Sequence, residues 1–369
     1  MKLRQHLAVC GALMMLAGCS PTDSPDEQGN DEQPSAASTA QQGRPTVFIT
    51  DFGLGLSAGW RDGVADVDDA MALALALNHD ELNPIALVTT FGNTVERPQA
   101  TKAIPAFAKA AGVDVPVLRG SPRPVPAVPV TDASGNEVTD ACLTEGIEAL
   151  GSLLREHDDV AVLGIAPLSP LACLAVNDPA ALESVTDVVA LMGVEPSTQL
   201  QINGTTVSDF NFGVDVEAAR IVVEDTDLPL TFITFETSSS SLLTTQQLDE
   251  LANTGTPRAE HFTSSAASWV SGWEQTFGED GIHPWDANTA WWLLRPEAYS
   301  CRTTGAAVIT PDDDAAGSSI DDTSSHLYVD DSYGSREVTA CTSYTDDTER
   351  DAFLDGVLQA LRGPGPDSG

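Results

Sequence analysis

Positive charge is scarce in this chain. Lysine and arginine number 17 against 55 aspartates and glutamates, giving a formal net charge of −38 over 369 residues. Such a balance argues against binding nucleic acid or an anionic surface by attraction. Acidic runs such as Asp312–Asp314 are expected as solvated loops, and the excess as an adaptation to solubility or salt. Long apolar runs are scarce too. The run near the start, Leu7–Ala17, falls short of the about 20 residues that a membrane-spanning helix needs. Residues 20–43 contain no large apolar side chain, so they cannot bury enough surface to offset their ordering entropy. There is no internal repeat and no second linker, which leaves one large domain over 44–369. The six cysteines show neither a CxxC pair nor a Cys/His spacing that would suggest zinc.

The start of the chain carries its own signal. Met-Lys-Leu-Arg supplies two positive charges ahead of the short apolar run, as in a secretory signal. Leu16-Ala17-Gly18-Cys19 resembles the bacterial lipobox. That resemblance implies that residues 1–18 are a lipoprotein signal peptide, that Cys19 is lipidated after cleavage, and that 19–43 is a flexible tether. The plainer alternative is a secretory signal in which the cysteine is incidental. Ser20, where an aspartate would signal inner-membrane retention, favours the periplasmic face of the outer membrane. Contact with the membrane is then expected only through the lipid. In an oxidising compartment the four remaining cysteines are expected to pair. Three pairings are possible; we expect 142–173 and 301–341, each contributing about 3–4 kcal/mol by closing its loop.

Along the domain, apolar β-branched runs alternate with helical patterns. Strands are expected at 46–50, 84–90, 159–165, 187–193 and 229–235. Helices are expected at 70–77, 97–112, 143–156, 169–177, 215–224 and 245–253. This alternation marks an α/β fold with a mostly parallel central sheet covered by helices on both faces. Ligands of such sheets bind beyond the carboxyl ends of the strands, which directs attention to the polar residues there.

Asp51 stands where the first strand stops, and Asp66, Asp68 and Asp69 gather before the first helix. Helix capping explains one such aspartate. Several together repel one another unless a cation offsets them, and oxygen-only ligands suit a hard ion, calcium before magnesium.

With these residues in view, the chain resembles the inosine–uridine-preferring nucleoside hydrolases. Ile49-Thr-Asp-Phe-Gly53 with Asp66-Val-Asp-Asp-Ala-Met-Ala-Leu73 is similar to the family's aspartate-rich opening. Val88-Thr-Thr-Phe-Gly-Asn93, Val115–Gly120, Ile165-Ala-Pro-Leu-Ser169 and Ala190-Leu-Met-Gly193 follow in the family's order. So do Asn203 with Asp209-Phe-Asn211, and His283-Pro-Trp-Asp286. The resemblance implies a nucleoside hydrolase-like fold with a Rossmann-like core. It also implies calcium-dependent hydrolysis of the N-glycosidic bond of a ribonucleoside and a homodimer or homotetramer. Carried over by position, Asp51, Asp69, Asp286 and the Ser169 carbonyl hold Ca2+. Asp68 and Asn93 face the ribose diol or the attacking water, and Asn203, Asp209 and Asn211 hold the sugar hydroxyls. Asp51 is the base, Trp285 stacks on the nucleobase, and His283 is the candidate leaving-group acid.

Three departures stand out. About ten extra residues (54–63) follow Asp51, and Asp62 competes with it for the first ligand position. Asp209 replaces the usual glutamate. Trp285 occupies the place where a leaving-group histidine often sits, with His283 two residues away. Base selectivity is expected from mobile loops at 53–66 and 257–283. A different reading, motivated by the insertion and the displaced histidine, is a periplasmic nucleoside- or sugar-binding protein that kept the metal site without turnover. Calcium as a purely structural staple is a third.

Overall fold

Val47–Thr50 are buried, and the chain around them pairs in parallel on both sides. The computed structural model describes residues 43–56, 65–93, 97–112, 114–126, 130–131, 137–138, 140–311, 324–334 and 336–363. The signal segment, all of the tether but Gly43, Cys19, Asp62 and Asp312–Asp314 lie outside them. The strands of the main sheet are β1 (Arg44–Thr50), β2 (Leu82–Thr89), β3 (Val117–Arg119), β4 (Val160–Ile165), β5 (Val185–Leu191), β6 (Leu230–Ile233), β7 (Tyr299–Ile309), β8 (His326–Tyr328) and β9 (Arg336–Tyr344). The helices are α1 (Asp68–Leu77), α2 (Arg97–Ala110), α3 (Glu145–Arg155), α4 (Ser169–Asn177), α5 (Phe210–Gly213), α6 (Val216–Glu224), α7 (Phe235–Ser238), α8 (Thr245–Ala252), α9 (Pro257–Phe277), α10 (Ala287–Leu294) and α11 (Asp347–Arg362).

The sheet has nine strands, in the order β8-β7-β9-β6-β5-β4-β1-β2-β3. From β9 to β3 every neighbouring pair is parallel, and β7 runs antiparallel to both β8 and β9. Helical crossovers cover both faces, so central strands such as β4 (VAVLGI) are buried along their whole length, as parallel strands must be. Along β1, Phe48 enters one apolar core, beneath α1, α9, α10 and α11. Its neighbours Val47 and Ile49 enter the other, beneath α3, α4 and α6. This is period-two alternation serving two cores.

The segment β3-β2-β1-β4-β5-β6 reverses direction of growth between β1 and β4. Loops leaving those two strands part to opposite faces, which opens a crevice at the carboxyl ends. Asp51 follows β1 directly at that point.

Two regions differ from the sequence reading. The stretch 257–283 is mostly the helix α9, 21 residues long, and not a mobile loop. Thr256 caps it by accepting from Ala259 N, proline opens it, and Gly278 ends it at φ 69°. Its buried residues Phe262, Ala266, Trp269, Trp273 and Phe277 recur every three or four positions, one helix face. The carboxyl-terminal strands β7–β9 and α11 were not foreseen. Of the three cysteine pairings, the structure has Cys142–Cys173 and Cys301–Cys341, the second across the β7–β9 ladder. Among the described residues no helix is long and apolar enough to cross a membrane.

Candidate active site

The site begins with two aspartates that do not cap the helix they open. Asp68 and Asp69 lie in the first turn of α1, whose N-cap is Val67 with no side-chain cap bond. Asp286 occupies the N-cap position of α10 and likewise makes no capping bond. Instead these carboxylates converge. Asp68 Oδ2 accepts from Asp286 N at 3.1 Å, joining chain segments 218 residues apart. Asp68, Asp69 and Asp286 each present a carboxylate oxygen within 4.8 Å of the others. Thr50 Oγ1 donates to one oxygen of Asp69, while the other, Oδ2, is buried without a partner.

Asp51 completes the group from the end of β1. Its Oδ2 accepts from Asn93 N at 2.6 Å, which fixes the loop after β2 against the loop after β1. Gly92 makes this approach possible: its φ is +145°, and a Cβ there would lie 1.9 Å from Asp51 Oδ2.

Burial is the first cause of every shift in this group. It pushes Asp51 up to about 7 against the opposing Asn93 bond, with the Asp68 charge adding to the rise. Asp66, Asp69 and Asp286 are held well above the usual carboxylate range by burial and then by their neighbours' charges, and Asp68 is raised by burial. Buried carboxylates crowded in this way ionise together only if a cation offsets them. The unpartnered Asp69 oxygen and the all-oxygen donor set fit a hard divalent ion.

Asp51, Asp66, Asp68, Asn93 and Asp286 open onto a cavity of about 420 Å³, within the range of small-molecule sites. Asp69 lies behind this lining. Aromatic rings line the same cavity. Trp285 stacks on Phe235 with centroids 5.8 Å apart and meets Trp273 edge-on at 6.3 Å; Trp273 packs on Phe277 at 4.2 Å. Asp209 and Asn211 also line the cavity. Asp209 caps α5 by accepting from Phe212 N and takes a second bond from Gly193 N at 2.7 Å. Burial raises it to about 6. Asn211 Nδ2 donates to Leu191 O at 3.2 Å.

Asp51, Asp68, Asn93, Asp209, Asn211, Trp285 and Asp286 are thus brought to one cavity, with Asp69 directly behind. Three candidates are not among the residues lining this cavity. His283 is buried behind Trp285, ring centroids 4.5 Å apart, and does not line the cavity. Its Nδ1 donates to Ser241 O and its Nε2 meets Glu279 Oε2 at 2.8 Å, so both ring nitrogens are engaged in the wall. Asn203 is exposed at the left-handed turn of the Gln201–Thr206 hairpin, φ 48°, and its amide donates to Phe277 O. Ser169 is buried at the start of α4, its hydroxyl donated to Asp215 Oδ2, and it is not among the lining residues. The wall supplied by α7 and α9 was not foreseen; the three-and-four spacing of apolar residues in 257–277 was its only signal.

A doubly wound α/β sheet with a buried carboxylate cluster and a ligand-sized cavity at its switch point makes a site that could hold a hard metal ion beside a small polar ligand. A family model described as inosine-uridine preferring nucleoside hydrolase matches residues 62–355. The chain belongs to that family and is an N-glycosyl hydrolase. The match starts at Asp62, downstream of Asp51. The chain is similar to the pyrimidine-specific ribonucleoside hydrolase RihA of Shewanella oneidensis, 24% identical over 275 residues, which is 69% of this chain and 83% of that one. In fold it is similar to a plant nucleoside hydrolase, with TM-score 0.67 and 19% identity over 87% of this chain and 99% of the other. It also resembles a purine-preferring ribonucleoside hydrolase from Gardnerella vaginalis, with TM-score 0.64 and 15% identity over 86% and 99%.

Proposed function

We propose that the protein hydrolyses the N-glycosidic bond of ribonucleosides in a calcium-dependent reaction, giving ribose and free base. The observation that carries this reading is the convergence of buried Asp51, Asp68, Asp69 and Asp286 on an aromatic-walled cavity. Asp51, Asp69 and Asp286 would hold the ion; Ser169, with its hydroxyl taken, has its main-chain carbonyl to add. When bound, calcium offsets the clustered negative charge and supplies a Lewis acid for the sugar diol and a water.

The remaining work falls to side chains. Asp51 takes the proton of the attacking water at its carboxylate. Asp68 and Asn93 face the diol and fix the line of attack. Asp209 and Asn211 hold the other sugar hydroxyls. The transition state carries positive charge on the sugar, as in glycoside hydrolysis, and the surrounding carboxylates stabilise it. Trp285, backed by Phe235, stacks on the base.

Incubation with inosine, uridine and cytidine tests the reading. Free ribose should appear, stop with chelator and return with calcium. Nucleoside that binds without ever releasing ribose overturns it. We also infer, from the lipobox-like start, export and anchoring through Cys19 at the periplasmic face of the outer membrane. Cys19→Ser should then move the protein out of the membrane fraction, and an unchanged distribution contradicts the anchor.

A further inference from the structure

The main-chain carbonyls of Pro284, Trp285 and Asp286 are clamped in succession by side chains from the next turn. Asn288 Nδ2 donates to Pro284 O at 3.2 Å and to Trp285 O at 3.1 Å, and Thr289 Oγ1 donates to Asp286 O at 2.7 Å. Asp286 is held from its other side as well, through its N–H to Asp68 Oδ2. Asn288 and Thr289 are fully buried. The other end of the Asn288 amide meets the carboxyl-terminal strands. Its Oδ1 accepts from Tyr344 Oη and from Tyr299 Oη at 3.1 Å; Tyr299 Oη also reaches Asn288 O at 3.1 Å. These tyrosines are the first residue of β7 and the last of β9, register partners across the ladder, with rings stacked 5.1 Å apart. Burial pushes both hydroxyls above their ordinary range, so they stay protonated and able to donate. The Cys301–Cys341 disulfide ties the same strand ends together.

Only one orientation of that amide satisfies its neighbours. The carbonyls of Pro284 and Trp285 accept and cannot donate, so the amide nitrogen must face them and the oxygen must face the tyrosines. Asparagine is also a poorer helix former than alanine, and in the first turn of α10 its side chain serves the preceding segment instead of the helix. That segment is under load. The Asp286 carboxylate lies within reach of those of Asp68 and Asp69, and without an ion like charges at that range push the turn apart. Resting on the metal-dependent reading above, we propose that Asn288, oriented by Tyr299 and Tyr344, is a positioning residue for the calcium site. It locks the Pro284–Asp286 turn so that the Asp286 carboxylate is already aimed at Asp68 and Asp69 when the ion arrives. Holding repelling ligands in place during folding spares the ion that cost at binding. The carboxyl-terminal ladder thereby acts on the far end of the sheet's cavity through two hydroxyls and one amide.

The test is calorimetric titration with calcium, well below every melting temperature, of four metal-free proteins. These are the wild type, Asn288→Ala, the double variant Tyr299→Phe/Tyr344→Phe, and Val338→Ala, a change in β9 that faces the other apolar core. Asn288→Ala should weaken calcium binding by about 10–100-fold, and the double variant, which keeps both rings, by about tenfold. Val338→Ala should melt lower yet keep its calcium dissociation constant within about twofold of wild type. Asn288→Ala that melts lower and binds calcium like the wild type marks a knot that only supports the fold, and overturns the inference. A double variant with unchanged calcium binding does the same, and it decides alone if Asn288→Ala does not fold. Val338→Ala that weakens calcium as much as the others also overturns it. Ribose release from uridine in the same samples separates the two readings. Calcium constants in the expected order without ribose from any sample overturn the hydrolase reading alone. A wild type that takes up no calcium overturns both.

Discussion

Asp69 has one carboxylate oxygen bonded to Thr50 and the other buried without a partner, an arrangement that costs free energy in the metal-free protein. Removing its charge therefore has two opposite consequences. Asp69→Asn should raise the melting temperature of chelator-treated protein by a few degrees, because one member of a repelling buried group is gone. The same variant should lose calcium-induced stabilisation and at least about 100-fold in ribose release. Calorimetry with and without calcium checks both; a variant that melts lower without metal and still gains from calcium contradicts the assignment. Gly92 is constrained from the other side. A methyl group there meets Asp51 Oδ2, and the backbone sits at positive φ, so Gly92→Ala should cost about 1–3 kcal/mol of stability. A denaturation midpoint equal to wild type would show that the loop after β2 does not hold Asp51. Asp51→Ala should abolish turnover, whereas unchanged ribose release would move the base role to Asp62.

At the level of elements, the crevice follows from the strand order and the wall from α9. Trp273 is buried in that helix and touches Trp269, Phe277, His283 and Trp285. Trp273→Ala should cost about 3–5 kcal/mol and raise KM more than it lowers kcat, because the ring is placed beside the base and not the bond that breaks; a kcat effect alone would contradict that placement. The central strands were legible because burial on both faces writes continuous apolar runs, as in β4 and in Val47–Ile49. The aspartates were legible because acidic residues at strand ends have few reasons to cluster. Helix α9 was hidden by its exposed side, where serine, threonine and glycine dilute the spacing of Phe262, Trp269 and Trp273. Strands β7 and β9 carry Arg, Thr and Ser between their buried residues, and only their mutual register, with Cys301 opposite Cys341, makes them a ladder. The positions of His283 and Asn203 depend on partners distant in sequence, Ser241 and Phe277, which motif order does not report.

For the molecule as a whole, acidity and metal are linked. The clustered carboxyls have folded pKa values above their unfolded ones, Asp51 near 7 against 3.8. Between those values the native state binds more protons than the unfolded chain, so metal-free stability falls as pH rises from about 4 to about 7. The net charge of −38 adds self-repulsion in the same direction. Chelator-treated protein should therefore melt higher at pH 5 than at pH 8, and calcium should raise the melting temperature more at pH 8, where it need not displace protons. A calcium effect larger at pH 5 contradicts the linkage.

Titration of metal-free protein with calcium in a calorimeter at neutral pH, with ribose release from uridine followed at each addition, addresses the central claim most directly. One ion per chain should bind, and activity should rise in proportion to its occupancy. Full ribose release before any calcium is added, or saturating calcium binding that leaves the rate unchanged, would contradict it.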